Sequence, residues 1–253
     1  TGLVLQDDRE MRLGELLFTQ GVGTRRGCAG LIEKGHVALA DGLGTDPSAE
    51  VDLSAQPLAF SVQGQAWVYQ PRAYVMLHKP AGYECSHRPG AWPSVYTLLP
   101  VPLRQRPTTG KVPGVQAVGR LDQDTTGLLL LSDDGAFIHR MNSPRHHVPK
   151  VYEVTTKHPL DERQITRLKS GVVLDDDPKP VAAADAQALG EHHLQLTLTE
   201  GKYHQVKRMV AAVGNRVEAL HRSRIGGLAL PTDLAPGEWR WLGEDELASL
   251  KTA

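Results

Sequence analysis

The sequence predicts an α+β protein with two domains, a small N-terminal domain with two helices and a larger one built around a mixed or antiparallel sheet. Strand-like and helix-like patterns follow one another along the chain without the regular strand–helix–strand rhythm of a parallel α/β fold. The length of 253 residues suits one small and one larger domain. An apolar fraction of 40% and a charged fraction of 23% are ordinary for a globular protein, so local pattern decides the fold.

Two short helices and a strand pair make up the predicted N-terminal domain. Thr24 can cap the second helix, and Gly35 stands where a helix commonly ends. Val37–Leu39 then alternates into a turn signal at 41–42, and a second strand is expected near 51–58. The helix faces carry apolar residues at i, i+3 and i+4, which are Leu13, Leu16 and Leu17 in the first helix and Cys28, Leu31 and Ile32 in the second.

The chain divides into four predicted segments. Residues 1–10 are a tail or extension, and 11–58 form the N-terminal domain. A mixed and weakly patterned stretch, 59–70, is the predicted linker, and 71–253 form the larger domain. Because about 50 residues bury too little apolar surface for an independent enzyme, the chemistry is expected in the larger domain.

Hydrophobic pattern also predicts the elements of the larger domain. A proline- and arginine-rich stretch, 100–113, is expected to be an exposed loop. Four leucines at 128–131 indicate a short buried strand or the start of a helix. Leu194, Leu196 and Leu198 alternate with polar residues, as in a half-buried strand. Further predicted elements are strands at 74–80 and 150–156 and a helix with Val206, Met209, Val210 and Val213 on one face, ending at Gly214.

Composition excludes several classes of protein. No stretch approaches the roughly 18 apolar residues of a membrane span, and residues 1–10 lack the regions of a signal peptide. Cys28 and Cys85 lie far apart, so both are predicted to be buried thiols in a protein of the reducing cytoplasm. The net charge of −1 does not suggest nucleic acid. If RNA is the partner, basic groups must be concentrated on one face.

The densest group of polar residues is Gly-Arg-Leu-Asp-Gln-Asp-Thr-Thr-Gly at 119–127, directly before the four leucines. Polar residues and glycines ahead of an apolar run are typical of a loop that a rigid scaffold presents for catalysis. Arg120 is two residues from Asp122 and is expected to keep that carboxylate ionised, since an adjacent cation lowers the pKa of a carboxyl group. An ionised carboxylate in a fixed position can act as a nucleophile or a base.

Three other interpretations of this segment stay open from its pattern alone. The first is an ordinary turn in which Asp122 and Asp124 only cap backbone amides. The second is an aspartyl phosphotransferase, whose D-x-D-x-T signature is present without the apolar strand that should lead into it. The third is a calcium-binding loop. Positions 1, 3, 5, 6 and 12 of such a loop would be Asp122, Asp124, Thr126, Gly127 and Asp133.

The same segment resembles the catalytic motif of the RsuA/RluB/RluE/RluF family of ribosomal RNA pseudouridine synthases. Four further segments resemble other blocks of this family in the same order, and the resemblance covers nearly all of Met11 to Leu250. The second and third blocks are most similar to the RsuA branch, which modifies small-subunit (16S) rRNA. The four segments are Leu-His-Lys-Pro-Ala-Gly-Tyr at 77–83, Ser-Pro-Arg-His-His at 143–147 with Lys-Val-Tyr at 150–152, Glu-Gly-Lys-Tyr-His-Gln-Val-Lys-Arg-Met at 200–209, and His-Arg-Ser-Arg-Ile-Gly at 221–226 with Leu-Ala-Pro-Gly-Glu at 234–238.

The resemblance implies a small S4-like RNA-binding domain followed by a pseudouridine synthase catalytic domain. In the family an aspartate usually follows Met-Arg-Leu, whereas this chain has Gly14. Glycine in a helix is less favourable than alanine by about 1 kcal/mol. The first helix is therefore expected to be looser, and RNA binding by this domain weaker.

The resemblance also implies the reaction. Pseudouridylation breaks the N1–C1′ bond of a uridine and rejoins the turned uracil through C5, an isomerisation that needs no cofactor, metal or energy source. Asp122 matches the family's nucleophile, and attack on the base at C6 and attack at the ribose both stay open. Lys207 matches the basic residue expected to pair with that carboxylate, and Tyr152 matches the tyrosine expected to stack on the uracil. Pattern alone would make Lys207 a solvated helix residue and Tyr152 a core residue. Arg120 completes the predicted catalytic set.

The implied partner is ribosomal RNA, free or in a small-subunit assembly intermediate, bound by a monomer. A uridine in folded RNA has to leave its stack, at a cost on the order of a few kcal/mol. Basic residues cluster locally, and acidic residues collect elsewhere, at 175–177 and 244–246. The predicted RNA-binding residues are Arg12, Arg25, Arg26 and Lys34 in the N-terminal domain and Arg145, His146, Lys202, His204, Arg208 and Arg222 in the larger domain.

Two other functions stay open: an RNA-binding assembly factor without activity, and a synthase that acts on 23S rRNA. The complete set of Arg120, Asp122, Tyr152 and Lys207 argues against the first, since binding alone needs no such combination. The histidines near Pro144 have no cysteine or fourth ligand at zinc spacing, so no metal site is predicted.

Overall fold

The computed structural model describes residues 9–54, 57–202 and 204–251, and the chain forms two compact units. The first comprises the chain up to Ala73 together with Leu99–Gln116, and the second comprises Tyr74–Leu98 and the chain from Ala117 onward. Both units mix helices and strands, which confirms the predicted α+β class. No helix within the described ranges is long and apolar enough to cross a membrane.

The first unit is built from short elements. In chain order they are β1 (Glu10–Arg12), α1 (Leu13–Thr19), α2 (Arg25–Glu33), β2 (Val37–Leu39), β3 (Gly42–Leu43), β4 (Glu50–Asp52), β5 (Ala59–Val62), β6 (Gln65–Val68) and α3 (Val101–Arg104). Four of the strands form a sheet in the order β3-β2-β5-β6, and β1 pairs antiparallel with β4.

Both predicted N-terminal helices are present, with their apolar faces buried. The Thr24 hydroxyl accepts a hydrogen bond from the Gly27 amide at 3.0 Å and caps α2 as predicted. Gly35, at φ +76°, follows the end of α2 in the left-handed region that favours glycine. The core of this unit contains Leu13, Leu16, Leu17, Cys28, Ile32, Val37, Phe60 and Tyr69.

The segment 59–70 differs from the predicted linker, because it contains the β5–β6 hairpin. The two strands pair with each other, and β5 also pairs with β2. Phe60 and Tyr69 are buried in the core, whereas most other side chains of the hairpin stay partly or fully exposed. With so few buried positions, the alternation that marks a strand is absent from the sequence.

The stretch 100–113 also differs from the exposed loop expected from its prolines and arginines. It begins with α3, and Leu103 is fully buried while Arg106 is 1% exposed. Arg106 Nη2 donates to the Gln70 carbonyl at 2.7 Å, so its buried charge has a partner. Leu99–Gln116 is therefore part of the first unit, although it lies far beyond the predicted linker in the sequence.

Gly14 sits at a close approach inside the first unit. Its amide donates to the Pro47 carbonyl at 2.9 Å, and an added Cβ would lie 3.3 Å from that oxygen. The glycine therefore lets α1 pack directly on the 46–49 loop. Of the predicted tail 1–10, residues 1–8 lie outside the described residues, and Glu10 begins β1 by pairing with Asp52.

The second unit is organised around one large sheet. Its elements are β7 (Tyr74–Lys79), β8 (Gln116–Val118), β9 (Thr126–Ser132), α4 (Gly135–Asn142), β10 (Lys150–Thr156), α5 (Glu162–Ser170), β11 (Val172–Leu174), β12 (Asp177–Val181), β13 (Asp185–Gly190), β14 (His193–Leu198), α6 (Gln205–Ala212), β15 (Val217–Ile225), β16 (Leu228–Ala229), β17 (Trp239–Trp241) and α7 (Glu244–Ser249). The sheet order is β13-β14-β10-β15-β9-β7-β17, with β8 beside β9 and β16 beside β15, and β11 and β12 form a separate hairpin.

Burial confirms most of the predicted elements in this unit. The four leucines at 128–131 are fully buried in the strand β9, which settles the choice between strand and helix start. Leu194, Leu196 and Leu198 point into a core that also holds the apolar face of α6. A second core lies between β7, β9, α4 and the C-terminal residues. Cys28 and Cys85 are buried free thiols, as predicted.

The sheet has a narrow seam at its centre, where β15 and β9 run parallel. Only two residue pairs join these strands, His221 with Thr126 and Arg222 with Gly127. Gly127 adopts φ +116°, and a Cβ added there would lie 2.1 Å from the Arg222 carbonyl oxygen. The backbones can therefore approach this closely only if residue 127 has no side chain. The polar loop 119–125 ends at this seam.

Candidate active site

The loop 119–125 is held in place by hydrogen bonds that its backbone carbonyls accept from residues at and just after the end of β7. Lys79, the last residue of β7, is fully buried, and its Nζ donates to Thr125 O at 2.7 Å and to Gln123 O at 3.1 Å. The Gly82 amide donates to the same Gln123 carbonyl at 2.7 Å. Burial lowers the pKa of Lys79, although the nearby Cys85 thiol and the loop carboxylates oppose the shift. The three carbonyl acceptors around its ammonium satisfy the buried group.

Asp122 lies at the bend of this loop, where its carbonyl accepts the Thr125 amide at 3.0 Å. The two carboxylate oxygens have different partners. Oδ1 lies 3.2 Å from His204 Nε2, and Oδ2 lies 3.1 Å from Lys207 Nζ. The Asp122 side chain is 34% exposed, so it is held by two basic groups and is still accessible from solvent.

Lys207 joins two carboxylates, because its Nζ also lies 2.9 Å from Asp124 Oδ1. Burial by itself would lower the pKa of Lys207, but its hydrogen bonds to Asp124 and Asp122 outweigh burial and raise it. Burial likewise opposes ionisation of Asp124, and the Lys207 hydrogen bond and charge outweigh it and lower the pKa of Asp124. The site therefore holds an ammonium group shared by two aspartates near neutral pH.

The sequence spacing predicted that Arg120 lies beside the Asp122 carboxylate, and the structure places it elsewhere. Among the described residues it has no ion pair with Asp122, and its side chain is exposed at the wall of the cavity. Leu121 is buried between the two residues, its amide donating to Cys85 Sγ at 3.5 Å, and the chain turns at Asp122. The Asp122 carboxylate thus faces α6, and the cation beside it is Lys207 of that helix.

A cavity of about 1100 Å³ opens in front of Asp122 and lies entirely within the second unit. This volume slightly exceeds that of small-molecule sites, which span about 300–1000 Å³, so a whole nucleotide can enter. Tyr152 of β10 is half-buried in its wall, beside Arg222 on the neighbouring strand. The structure thus brings Asp122, Lys207, Tyr152 and Arg120 to one cavity.

The sequence suggested that the acidic residues 175–177 lie away from the basic residues, but the structure brings the two groups together. Residues 175–177 form the turn between β11 and β12, named the acidic turn below, and they pair with two predicted RNA-binding residues. Lys202 Nζ lies 3.4 Å from Asp177 Oδ2, and Arg208 forms an ion pair with Asp176. Hence both cations already have carboxylate partners in the protein without RNA.

The other predicted RNA-binding residues of the second unit are divided between its surface and the cavity. Arg145 and His146 are exposed in a short 3-10 turn whose first residue, Pro144, lines the cavity. His204 is partly exposed, and its Nε2 faces the Asp122 carboxylate. Arg222 is 3% exposed and lies in the cavity wall.

In the first unit, the predicted RNA-binding residues lie along and around α2. Arg26 and Lys34 line a shallow groove of about 490 Å³ together with His36. Arg25 does not line this groove. It forms an ion pair with Glu15, and its Cζ lies 3.9 Å from the centre of the Phe18 ring. The remaining residue, Arg12, is exposed in β1.

Sequence reasoning did not identify the roles of His204, Lys79 and Lys150 in building this site. His204 precedes Lys207 by three residues at the start of α6, a spacing that places both on one face of a helix and could have indicated a shared target. Lys79 and Lys150 stand in segments that resemble family blocks, at 77–83 and 150–152, but their spacing indicated neither a buried lysine nor a cavity residue.

The calcium alternative fails on geometry. The extended strand β9 separates Asp122 from Asp133, and at about 3.3 Å per residue it holds their carboxylates at opposite ends. Asp122 and Asp124 are instead occupied by Lys207.

The mixed sheet thus presents a cation-bound carboxylate to a nucleotide-sized cavity, an arrangement in which a carboxylate can act on a bound substrate. The profile of the family described as "RNA pseudouridylate synthase" matches residues 73–212, and the chain belongs to this family.

Known proteins resemble the chain over almost its full length. It is 40% identical over 240 residues to the "Ribosomal small subunit pseudouridine synthase A" of Escherichia coli (strain K12), covering 95% of this chain and 100% of that protein. The protein of the same name from Pasteurella multocida (strain Pm70) is 38% identical over 246 residues, 94% of this chain and 99% of that one. A solved structure described as "Crystal structure of pseudouridylate synthase" is 32% identical with a TM-score of 0.64, covering 95% of this chain and 99% of that chain. The predicted family and enzyme class are confirmed: the protein is a pseudouridine synthase.

Proposed function

We propose that this protein converts a specific uridine of small-subunit 16S rRNA to pseudouridine, with Asp122 as the nucleophile. The observation that carries the proposal is the Asp122 carboxylate in the cavity, hydrogen-bonded by Lys207 and His204 and still one-third exposed. Similarity over nearly the whole chain to relatives named as small-subunit synthases supports the choice of RNA.

Each group at the site has a proposed task. The target uridine leaves its stack and enters the cavity, where the ring of Tyr152 packs against the uracil. Lys207 and His204 hold the Asp122 carboxylate and aim it at the nucleotide, and Arg120 contacts the RNA at the wall. Asp122 bonds transiently to C6 of the base or to C1′ of the ribose and is released unchanged. Over the whole reaction N1–C1′ breaks and C5–C1′ forms, while the proton from C5 leaves and one is gained at N1. Atoms and electrons balance, so no co-reactant is required.

The first unit is proposed to be an S4-like RNA-binding domain. Support comes from the groove along α2, where Arg26, Lys34 and His36 line one surface. An added Cβ at Gly30 would meet no atom within 4 Å, so an RNA backbone has open access to this helix. Such basic residues bind phosphates without reading sequence, and we assign this unit to positioning the RNA.

The protein is further proposed to act as a monomer in the cytoplasm, on rRNA or a small-subunit assembly intermediate. The cavity brings Asp122, Lys207 and Tyr152 of one chain together, so the proposed chemistry needs no residue from a second copy.

The test is direct mapping of pseudouridine after purified protein has been incubated separately with 16S rRNA, a small-subunit assembly intermediate and 23S rRNA. We expect modification at a discrete uridine of 16S rRNA, none in 23S rRNA, and full activity in excess EDTA. Modification confined to 23S rRNA would move the substrate to the large subunit. RNA binding without modification of 16S rRNA or of a small-subunit assembly intermediate would identify an assembly factor instead.

The acidic turn yields a second prediction, for Asp176→Asn. Because Arg208 exchanges Asp176 for an RNA phosphate on binding, the substitution is expected to raise RNA affinity roughly threefold at low salt. In the wild type, breaking this ion pair offsets part of the ion release, so the substitution should also steepen the slope of log affinity against log salt, by at most about 0.7 to 0.9. Filter binding over a series of salt concentrations measures both quantities.

Asp245→Asn is the matched control, since it removes the same charge from an exposed site in the first turn of α7. It should leave the salt slope unchanged. An equal change in both variants would show that only net charge matters, and an unchanged slope in Asp176→Asn would mean that Arg208 does not contact phosphate.

A further inference from the structure

One buried arginine in the cavity wall has a donor without a partner. Arg222 is 3% exposed, and its Nε donates to the Leu128 carbonyl at 2.9 Å, which fixes the side chain across the seam. Its Nη2 is buried and has no hydrogen-bond partner, the single case among side-chain nitrogens and oxygens of the described residues. Buried guanidinium donors are normally satisfied, so this group points to a ligand that is absent from the free protein.

Lys150 lies on the same face of the sheet. It precedes Tyr152 by two residues in β10, and Tyr152 pairs with Arg222 of β15. Lys150 also lines the cavity, and its Nζ reaches the Val148 carbonyl only at 3.5 Å, the limit of a hydrogen bond. Burial, and after it the charge of Arg222, lower the pKa of Lys150.

The other basic groups around the cavity are paired or exposed. Lys202 and Lys207 have aspartate partners, whereas Arg88 and Arg120 are exposed at the wall. Neither Lys150 nor Arg222 forms an ion pair with a carboxylate in the described part of the chain. Two like charges in a partly buried wall repel each other and favour an anion between them.

We propose that Lys150 and Arg222 bind a phosphate of the RNA backbone at the nucleotide whose uridine enters the cavity, an inference that rests on the proposed function. The neutral carbonyls of uracil could accept a hydrogen bond from Nη2 but would leave both charges uncompensated. A phosphodiester supplies one negative charge and several acceptor oxygens, which suit the fork of an arginine. Lying beside Tyr152, the pair would fix the sugar–phosphate of the nucleotide while its base is turned.

Mononucleotides test this without knowledge of the target uridine. Binding of uridine 5′-monophosphate, uridine 3′-monophosphate and uridine is measured by NMR titration for the wild type and for Lys150→Met. The methionine keeps an apolar stem of similar length in the half-buried wall and removes the charge. We expect the wild type to bind one of the monophosphates at least tenfold more tightly than uridine, and Lys150→Met to lose most of that preference.

Two further variants control the experiment. Lys169→Met removes the same charge from an exposed position on α5 and should keep the full preference. Arg222→Lys keeps the charge but removes Nη2, and should weaken binding of the preferred monophosphate more than binding of uridine. If Arg222→Lys does not fold, Lys150→Met decides alone.

The inference is overturned if the wild type binds uridine and both monophosphates equally, or binds none at millimolar concentration. Equal weakening of all three ligands in Lys150→Met would assign the cations to the base instead. These binding results do not test the proposed function, which is tested by pseudouridine mapping. A phosphate preference without 16S modification would leave this site in place and remove only the proposed substrate.

Discussion

Asp122→Asn is expected to abolish pseudouridine formation, with a loss of at least about a thousandfold in single-turnover rate. The amide has nearly the shape of the carboxylate but no negative charge and little nucleophilicity. Lys207 keeps its contact with Asp124, and Asp122 is one-third exposed, so the free energy of unfolding should change by less than about 1 kcal/mol. RNA affinity should stay close to that of the wild type.

Asp124→Asn provides the matched control, because it removes the other carboxylate that contacts the same ammonium group. Its side chain is 56% exposed, and we expect less than about a tenfold loss of rate. Rapid-quench measurement at saturating RNA compares the two variants. The assignment of the nucleophile is wrong if Asp122→Asn retains activity within tenfold of the wild type, or if Asp124→Asn is the more damaging change.

Gly127→Ala is expected to lower the free energy of unfolding by more than about 3 kcal/mol, the largest stability effect that we predict for one methyl group. At φ +116° an alanine is strained by about 1–3 kcal/mol. The added carbon would also lie 2.1 Å from the Arg222 carbonyl oxygen, so β9 and β15 must separate at the only two pairs that join them. Because the loop 119–125 ends at this point, activity should fall together with stability.

Gly171→Ala separates backbone strain from steric overlap. Gly171 has nearly the same φ, +122°, but an added Cβ would meet its nearest atom, Pro180 Cβ, at 3.4 Å. Urea unfolding should show a loss limited to the strain, about 1–3 kcal/mol, with normal activity. If the two glycine variants are equally destabilised, the close approach at the seam is not what requires glycine at position 127.

Elements with a strong local pattern were predicted well. The apolar faces of α1, α2 and α6 and the four leucines of β9 are buried as their spacing indicates. Prediction was wrong where few residues of a segment are buried, as in the β5–β6 hairpin, or where polar composition hid a packed helix, as in 100–113. In both cases burial comes from distant parts of the chain, which no local period records.

The sequence by itself determined the family of this protein, through ordered motifs that include the loop around Asp122, and it determined most helices and strands through periodicity. Only the tertiary structure decided which groups meet. It placed Lys207, which is 83 residues from Asp124 in the chain, against both Asp124 and Asp122, where spacing had suggested Arg120. It also joined the acidic turn to Lys202 and Arg208. Side-chain periodicity reports only which face of an element is buried, whereas ion pairs depend on how strands and helices far apart in the chain are brought together.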